Sequence, residues 1–235
     1  MKQFVYGVKD GIPIALGYAS VAFTFGLVTM EYGLSWWQAT LISLTCLTSA
    51  GQFAGIGTMA AGGSLLEMAV SQLVINLRYG LMGVSLSQNV TKKVSGISRW
   101  ILAYGITDEI FAVAISKTYK IGRGYLVGLY VLPVMGWTLG TMGGALLGSV
   151  LPQNISSALG VALYGMFIAV VVPPAKENRK ILAVVGIAVG LSCIFKWTPM
   201  LKTISSGTAV IISAVIAAFV GAVWFPMEEE GGESQ

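Results

Sequence analysis

The charged side chains that lie inside apolar segments are the residues of this chain best able to do chemistry. Arg78 falls well inside one such segment, and Asp108 and Glu109 stand side by side in the middle of another. If these segments cross a membrane, a cation at the bilayer centre costs at least about 2.5–3.5 kcal/mol, so Arg78 needs a compensating group. Glu67, Asp108 and Glu109 are candidate partners. A purely structural ion pair and a site for a substrate carboxylate both remain open.

Asp108 and Glu109 also offer a way to carry a proton. Two adjacent carboxylates cannot both stay ionised in one small dry cavity, because each makes the charge on the other more costly. One of them would then hold and release a proton. The alternative is that one acid caps a helix or pairs with Arg78 while the other faces water.

A second candidate site is the polar patch formed by Ser49, Gly51 and Gln52 in the glycine-rich stretch 48–63. Each glycine costs a helix about 1 kcal/mol relative to alanine, so a broken or re-entrant helix is expected there. Such breaks let transporters bind a zwitterion through helix N-termini and exposed carbonyl groups. Small residues also serve tight helix packing, so the patch alone is weak evidence.

The composition shows which elements must position these residues. Of 235 residues, 55% are apolar and 10% are charged, against roughly 25% charged in soluble domains. Charge-free stretches run over 11–30, 32–66, 124–175, 181–195 and 203–227, and about 20 apolar residues suffice to cross a bilayer. We therefore predict an all-α polytopic membrane protein with about eight transmembrane helices, or seven as the alternative. Residues 1–225 would form one transmembrane domain and 226–235 an acidic tail.

The same composition excludes several classes of protein. A cytosolic enzyme, a nucleic-acid-binding module and a secreted disulfide scaffold do not fit so apolar a chain. Cys46 and Cys193 are isolated, histidine is absent, and no metalloprotease, serine-hydrolase or nucleotide-binding motif occurs. We expect neither enzymatic activity nor a metal or cofactor.

The basic residues predict the orientation of the chain. Eight full crossings with the N-terminus inside place residues 2–9, 117–123 and 176–180 in the cytoplasm, as the positive-inside rule requires. The basic loop 92–99 would then lie outside, against that rule. The assignment changes if the glycine-rich second segment, or the short fourth one at 100–116, does not cross fully.

Two short motifs hint at an internal repeat. I-P-I-A-L-G-Y from Ile12 is similar to L-P-V-M-G-W from Leu132, at an offset of 120 residues. Repeats of about three helices are common in secondary transporters, although chance similarity between two apolar runs is an equal explanation, and the orientation of such a repeat stays open. Four glycines spaced four apart predict a groove for close helix packing along the fifth span: Gly136, Gly140, Gly144 and Gly148.

Four motifs in a fixed order resemble a known family. They are G-I-P-I-A-L-G-Y at 11–18, T-S-A-G-Q-F at 48–53, N-L-R-Y-G-L-M-G at 76–83 and T-D-E-I-F-A at 107–112. Together they resemble the AzlC-type family of branched-chain amino acid permeases over most of residues 5–200. The resemblance implies the large subunit of an exporter of valine, isoleucine and leucine, and sometimes methionine. It also implies an ion gradient as the driving force, a small AzlD-type partner of about four spans, and location in the cytoplasmic (inner) membrane.

The resemblance carries over to seven candidate residues. From their chemistry we expect substrate contacts at Ser49, Gly51, Gln52, Asn76 and Arg78, and proton coupling at Asp108 or Glu109. Tyr79 stands where histidine often follows the arginine in this family, so a histidine proton relay is excluded here. Two other classes remain as alternatives: a non-transporting scaffold or regulatory subunit, and a channel-like facilitator for a small solute.

Overall fold

A computed structural model describes residues 2–92, 94–148, 150, 168, 171–201, 204 and 206–225. These residues form helices joined by turns, with one isolated β-bridge between Val90 and Ile121. The helices are α1 (Lys2–Glu31), α2 (Trp36–Thr45), α3 (Ala50–Ala60), α4 (Leu65–Asn89), α5 (Ile97–Tyr104), α6 (Asp108–Ile115), α7 (Arg123–Leu147), α8 (Arg179–Trp197) and α9 (Ser206–Trp224). Residues 171–177 are also helical, and a 3-10 turn covers Pro199–Leu201. The predicted all-α class is confirmed.

Four helices in the described part of the chain are long and apolar enough to cross a membrane: α1, α7, α8 and residues Gly207–Trp224 of α9. α4 is as long as α7, at 25 residues, but it carries Glu67 and Arg78. The exact count of eight spans is not confirmed. The predicted sixth span falls mostly on residues 151–170, and the acidic tail on 226–235; apart from Ile168, these residues lie outside the described ones.

α1 and α7 run parallel and pack backbone against backbone through glycine. Three pairs of residues face each other, each pair 121 residues apart in sequence: Ala15–Gly136, Ala19–Gly140 and Phe23–Gly144. A Cβ atom on Gly136 or Gly140 would lie 2.6 Å from a carbonyl oxygen of α1, a distance that real Cβ atoms do not reach. The predicted packing groove on the fifth span is therefore the seam between these two helices.

The seam has an approximate twofold axis along the helices. Gly7 lies against Tyr125, and Gly128 lies against Phe4. At the same offset of 121 residues, Phe4 corresponds to Tyr125 and Gly7 corresponds to Gly128. The two contacts are therefore related by the twofold axis. A parallel repeat predicts such a relation. The offset between facing residues, 121, is one more than the offset of 120 between the two sequence motifs.

The contacts of α4 define the two sides of the protein. We call the side of the α1 and α7 N-termini proximal and the side of Glu31 distal. The Thr91 amide donates to the Ile121 carbonyl and the Ile121 amide donates to the Asn89 carbonyl, each at 2.9 Å, so α4 ends on the proximal side. The basic loop that follows α4 therefore lies beside the loop before α7, and not on the distal side as eight full crossings require.

The second apolar segment is a hairpin that enters from the distal side and turns back. α2 and α3 have 10 and 11 residues, about 15 Å each, or half of a hydrocarbon core of about 30 Å. α3 runs antiparallel to α4, because Gly51 lies against Gln72 and Gly55 against Met68. Residues 46–49 form the tip. The second segment is thus broken and re-entrant as expected, but the break lies at 46–49, at the edge of the glycine-rich stretch, and Gly51, Gly55 and Gly57 lie inside α3.

The segment predicted as a short fourth span is a second hairpin, from the proximal side. α5 and α6 have eight residues each, about 12 Å, so neither can cross. α5 runs along α7 from the proximal side inward, and Gly105 at its end packs on the Tyr130 ring. α6 runs along α1 back to the proximal side. Just after its end, Lys117 Nζ lies 2.8 Å from Asp10 Oδ2. The 105–107 tip reaches the middle of α1, where Thr107 meets Tyr18.

The C-terminal helices complete the described fold on the α4 side. Gly207 and Val210 of α9 line one cavity with Glu67 and Ser71 of α4, so α9 starts on the distal side. Gly221 packs on Val184, and α8 therefore runs antiparallel to α9 and starts on the proximal side. The basic residues before and at the start of α8 fall on the same side as those of the other proximal loops, in line with the positive-inside rule.

This arrangement predicts a labelling pattern that differs from eight crossings. In a Cys46→Ser, Cys193→Ser background, Lys92→Cys and Lys120→Cys are expected to react with an impermeant thiol reagent from the same side of the membrane. Gly62→Cys, in the turn between α3 and α4, should react from the other side. Reaction of Lys92→Cys and Lys120→Cys from opposite sides would contradict the second hairpin.

Candidate functional site

The tips of the two hairpins meet at a small cavity of about 50 Å³ in the middle of the protein. The hairpins touch directly, because the Tyr104 hydroxyl donates to the Leu44 carbonyl. The lining residues come from α1, from both tips, from α4 and from α7: Tyr18, Leu47, Ser49, Arg78, Tyr79, Thr107, Asp108, Glu109 and Trp137. Four of the seven predicted site residues line this cavity: Ser49, Arg78, Asp108 and Glu109.

Arg78 and Asp108 form an ion pair on one wall of the cavity. Arg78 Nη2 lies 3.0 Å from Asp108 Oδ2, and the same nitrogen donates to the Tyr79 hydroxyl at 3.2 Å. The Arg78 guanidinium also stacks over the Tyr79 ring, 5.0 Å from its centroid. The pair is partly accessible, with 42% and 32% of the two side chains exposed. Arg78 therefore has an acidic partner, as a cation inside an apolar helix requires, and neither of the two charges is fully buried.

Glu109 faces the cavity from the other side of the α6 N-terminus. The Tyr18 hydroxyl donates to Glu109 Oε2 at 2.5 Å and is hydrogen-bonded to Thr107 Oγ1 at 2.6 Å. Thr107 caps α6 by accepting the Ile110 amide. The adjacent acids of the sequence thus have separate partners, Arg78 for one and Tyr18 for the other.

Ser49 occupies a strained position at the start of α3. Its φ of +37° is the one positive value among the non-glycine residues described, and its buried hydroxyl has no hydrogen-bond partner among those residues. Backbone strain of this kind costs about 1–3 kcal/mol and is concentrated at functional sites. The α3 N-terminus carries no acid in its first turn, so its amide dipoles give the cavity a positive pole next to Arg78.

Gln52 does not line the cavity; it lies one layer behind it. Its side chain is 3% exposed, its Nε2 donates to Ser43 Oγ at 3.0 Å, and its Oε1 accepts from Trp137 Nε1 at 2.9 Å. Ser43 in turn is hydrogen-bonded to Thr141 of α7 at 2.7 Å. Gln52 therefore fixes the distal hairpin and the Trp137 ring, and in this conformation both its amide nitrogen and its amide oxygen are hydrogen-bonded within the protein.

Gly51 and Asn76 belong to the contact between α3 and α4. The Gly51 carbonyl accepts from Gln72 Nε2 at 2.8 Å, and Asn76 Nδ2 donates to Gln72 Oε1 at 3.1 Å. A Cβ on Gly51 would lie 2.7 Å from that same Gln72 oxygen. The Oδ1 atom of Asn76 is buried without a hydrogen-bond partner in the described part of the chain. Both residues lie next to the cavity and hold its wall.

Sequence reasoning missed two aromatic residues of the site. The Tyr18 and Trp137 rings pack edge to face, with centroids 5.3 Å apart and planes at 76°. They are the last residues of the two similar motifs that begin at Ile12 and Leu132, so the repeat was the signal that could have found them. Among the described residues, no three His, Cys, Asp or Glu side chains converge on a possible metal site.

The hydrogen bond from Trp137 to Gln52 gives a testable stability effect. Trp137→Phe keeps the aromatic packing but leaves the buried Gln52 oxygen unpaired, which costs about 1–3 kcal/mol. For a chain of this size that is a lowering of the thermal unfolding midpoint by roughly 2–12 °C. Trp100→Phe, on a side chain that is 80% exposed, is the matched control and should leave the midpoint unchanged. Equal midpoints for the two variants would contradict the described role of Gln52.

Comparison with known proteins now places the chain in a family. The family model described as AzlC protein matches residues 13–151. The inner membrane protein YgaZ of Escherichia coli K12 is 29% identical over 226 residues, covering 92% of this chain and 91% of that protein. An uncharacterized membrane protein of Archaeoglobus fulgidus is 32% identical over 192 residues, covering 81% and 84%. No solved structure matches. The matched segment, which is more than half of the chain, spans both hairpins and the central cavity, and this multi-pass membrane protein belongs to the AzlC family.

Proposed function

We propose that the protein is a secondary transporter that exports branched-chain amino acids across the cytoplasmic (inner) membrane by alternating access. The observation that carries the proposal is the central cavity, where two re-entrant hairpins from opposite sides meet at charged residues. Discontinuous helices that meet at mid-depth are the usual construction of transporter binding sites. Polar backbone at that depth is tolerated only where protein or water satisfies it.

The polarity of the cavity suits the two charges of an amino acid. The N-terminus of α3, the Ser49 hydroxyl and Arg78 offer positive charge and donors for a carboxylate. Glu109, and Asp108 once its ion pair with Arg78 opens, offer negative charge for an ammonium group. Leu47 and Trp137 supply an apolar wall for a branched side chain. Apolar pockets that differ by one methylene discriminate by only about 1–3 kcal/mol, which fits a shared site for valine, leucine, isoleucine and methionine.

The small size of the cavity supports the proposal that this conformation is a closed one. Ligand pockets begin at about 300 Å³, and the cavity has about 50 Å³, so a substrate enters only after a tip moves. The α2–α3 tip separates the cavity from the distal side and the α5–α6 tip separates it from the proximal side. Movement of one tip at a time would give alternating access, with Asp108 or Glu109 taking a proton when its partner leaves.

The partner of the transporter is proposed from the resemblance alone. A small AzlD-type subunit of about four spans would be needed for activity, so every transport assay includes it. A neighbouring reading frame for a protein of that kind identifies the subunit to co-express.

Counterflow of labelled valine into vesicles that contain both subunits tests this proposal. We expect saturable uptake that leucine, isoleucine and methionine inhibit. Valinamide, which lacks the carboxylate, and isovalerate, which lacks the ammonium group, should inhibit much less. Non-saturable flux would favour a channel-like facilitator. Absence of valine flux with the partner present would favour a scaffold or regulatory subunit.

A further inference from the structure

An open groove of about 510 Å³ runs between α4 and α5 toward the proximal side. One wall follows a single face of α4 and consists of Gly80, Gly83, Val84 and Ser87. The other wall is formed by α5 and the turn before it, through Gly96, Arg99, Trp100 and Ala103. The groove shares no residue with the central cavity. It is therefore a second, separate feature that the proposed transport does not use.

The groove continues inward as a narrow apolar slot of about 70 Å³. Slot and groove share Gly83, Arg99 and Ala103, and the slot reaches Leu126 and Tyr130 of α7. Tyr130 is only 7% exposed, and its hydroxyl has no hydrogen-bond partner among the described residues. The glycines keep the passage open, since a Cβ on Gly83 would meet nothing nearer than 4.0 Å. Such a slot fits a hydrocarbon chain and offers one hydroxyl to an ester oxygen.

The mouth of the groove is positively charged. The side chain of Arg99 is exposed and has no ion pair or hydrogen bond in the described part of the chain, and the same holds for the side chain of Lys92 in the preceding loop. Among the residues that the structure describes, none that lines the groove or the slot is acidic. Trp100 is 80% exposed beside Arg99, as expected for an aromatic residue at a membrane interface. A basic mouth on the cytoplasmic side that opens into an apolar slot is complementary to an anionic lipid.

We propose that this groove binds one anionic phospholipid of the proximal leaflet. The lipid phosphate lies on Arg99, and one acyl chain lies along the glycine face of α4 and enters the slot toward Tyr130. The acyl chain distinguishes this ligand from free phosphate, which would use Arg99 alone. α5, whose far end contacts the distal hairpin through Tyr104, is then held by lipid on one face and by protein on the other.

Native mass spectrometry of the full chain in detergent tests the site with two lipids, dioleoylphosphatidylglycerol and dioleoylphosphatidylcholine. We expect a one-to-one adduct with the anionic lipid at concentrations where the zwitterionic lipid gives none. Arg99→Gln should lower the affinity about fivefold, the effect of one basic residue on an anionic lipid. Arg123→Gln, at an exposed arginine on the same side but outside the groove, is the matched control and should bind as the parent does.

Two further arms separate the lipid from other occupants. Gly83→Leu fills the slot and should weaken the adduct while Arg99 is intact, and millimolar inorganic phosphate should not displace the lipid. Equal binding of the two lipids, or parent-like affinity of both Arg99→Gln and Gly83→Leu, would overturn the proposal. So would full displacement by phosphate, or crosslinking of a Trp100→Cys probe to a second polypeptide in place of lipid. None of these readouts requires transport, so they stand whether or not valine is moved.

Discussion

Arg78→Gln is expected to abolish valine counterflow and also to destabilise the protein, because it leaves the Asp108 carboxylate without its partner. Removing one member of a buried pair costs about 3–5 kcal/mol, and an exposed pair contributes about 0.2–1 kcal/mol. Since 42% of the Arg78 side chain and 32% of the Asp108 side chain are exposed, we expect a loss of roughly 1–2 kcal/mol in the free energy of unfolding. If Arg78 binds the substrate carboxylate as proposed, its loss should lower the affinity for valine by more than about tenfold, so that counterflow at sub-saturating valine is lost.

The double variant Arg78→Gln, Asp108→Asn separates the two roles of the pair. It removes both charges, so the thermal unfolding midpoint should return toward the parent value while counterflow remains lost. Arg179→Gln, at an exposed arginine that starts α8, controls for the change in net charge. If the double variant transports valine at the parent rate, the pair only holds helices together and the assignment of Arg78 to the substrate is wrong.

Gly140→Leu is expected to prevent the protein from accumulating in the membrane. A Cβ at this position would lie 2.6 Å from the Ala19 carbonyl oxygen, and the backbone of α1 cannot move aside without opening the seam with α7. Overpacking costs about 1–3 kcal/mol where side chains can adjust, and more where the obstacle is backbone. We expect little or no monodisperse protein by fluorescence-detected size-exclusion chromatography.

Gly186→Leu is the matched control for the seam. It makes the same chemical change within α8, another long apolar helix, at a position where a Cβ meets nothing within 4 Å. This variant should accumulate as the parent does. Similar losses for the two variants would mean that bulk in any apolar helix is harmful and that the α1–α7 contact is not special.

The ion pair between Arg78 and an acid can be predicted from the sequence, because an unpaired cation inside an apolar helix is costly. An arginine inside an apolar helix must find an acid, and Asp108 was one of three candidates within reach. The glycine-rich stretch 48–63 likewise predicts a broken helix. Hydropathy predicts a span at the proximal hairpin, because it counts apolar residues and does not report where a chain reverses direction. The reversal at Gly105 depends on packing against Tyr130, which lies 25 residues further along the chain.

Other features of the site could not be read from residue type alone. Gln52 looks like a ligand-binding amide, yet its nitrogen is bonded to Ser43, nine residues before it, and its oxygen to Trp137, 85 residues after it. Tyr18 and Trp137 look like ordinary aromatic residues of apolar helices. Only the antiparallel and parallel pairing of the helices, a tertiary property, brings them to one cavity.

The parallel packing of α1 and α7 has a consequence for the proposed transport cycle. Inverted repeats allow a carrier to generate its outward-facing state by exchanging the conformations of its two halves. The approximate twofold axis of α1 and α7 runs along these helices and leaves the two faces of the membrane distinct. The two hairpins follow helices of opposite direction, α1 and α4, but they differ in length, with 10- and 11-residue helices at the distal hairpin and 8-residue helices at the proximal one. If the protein works by alternating access, its two end states should therefore have unequal energies, and apparent substrate affinities measured from the two faces should differ.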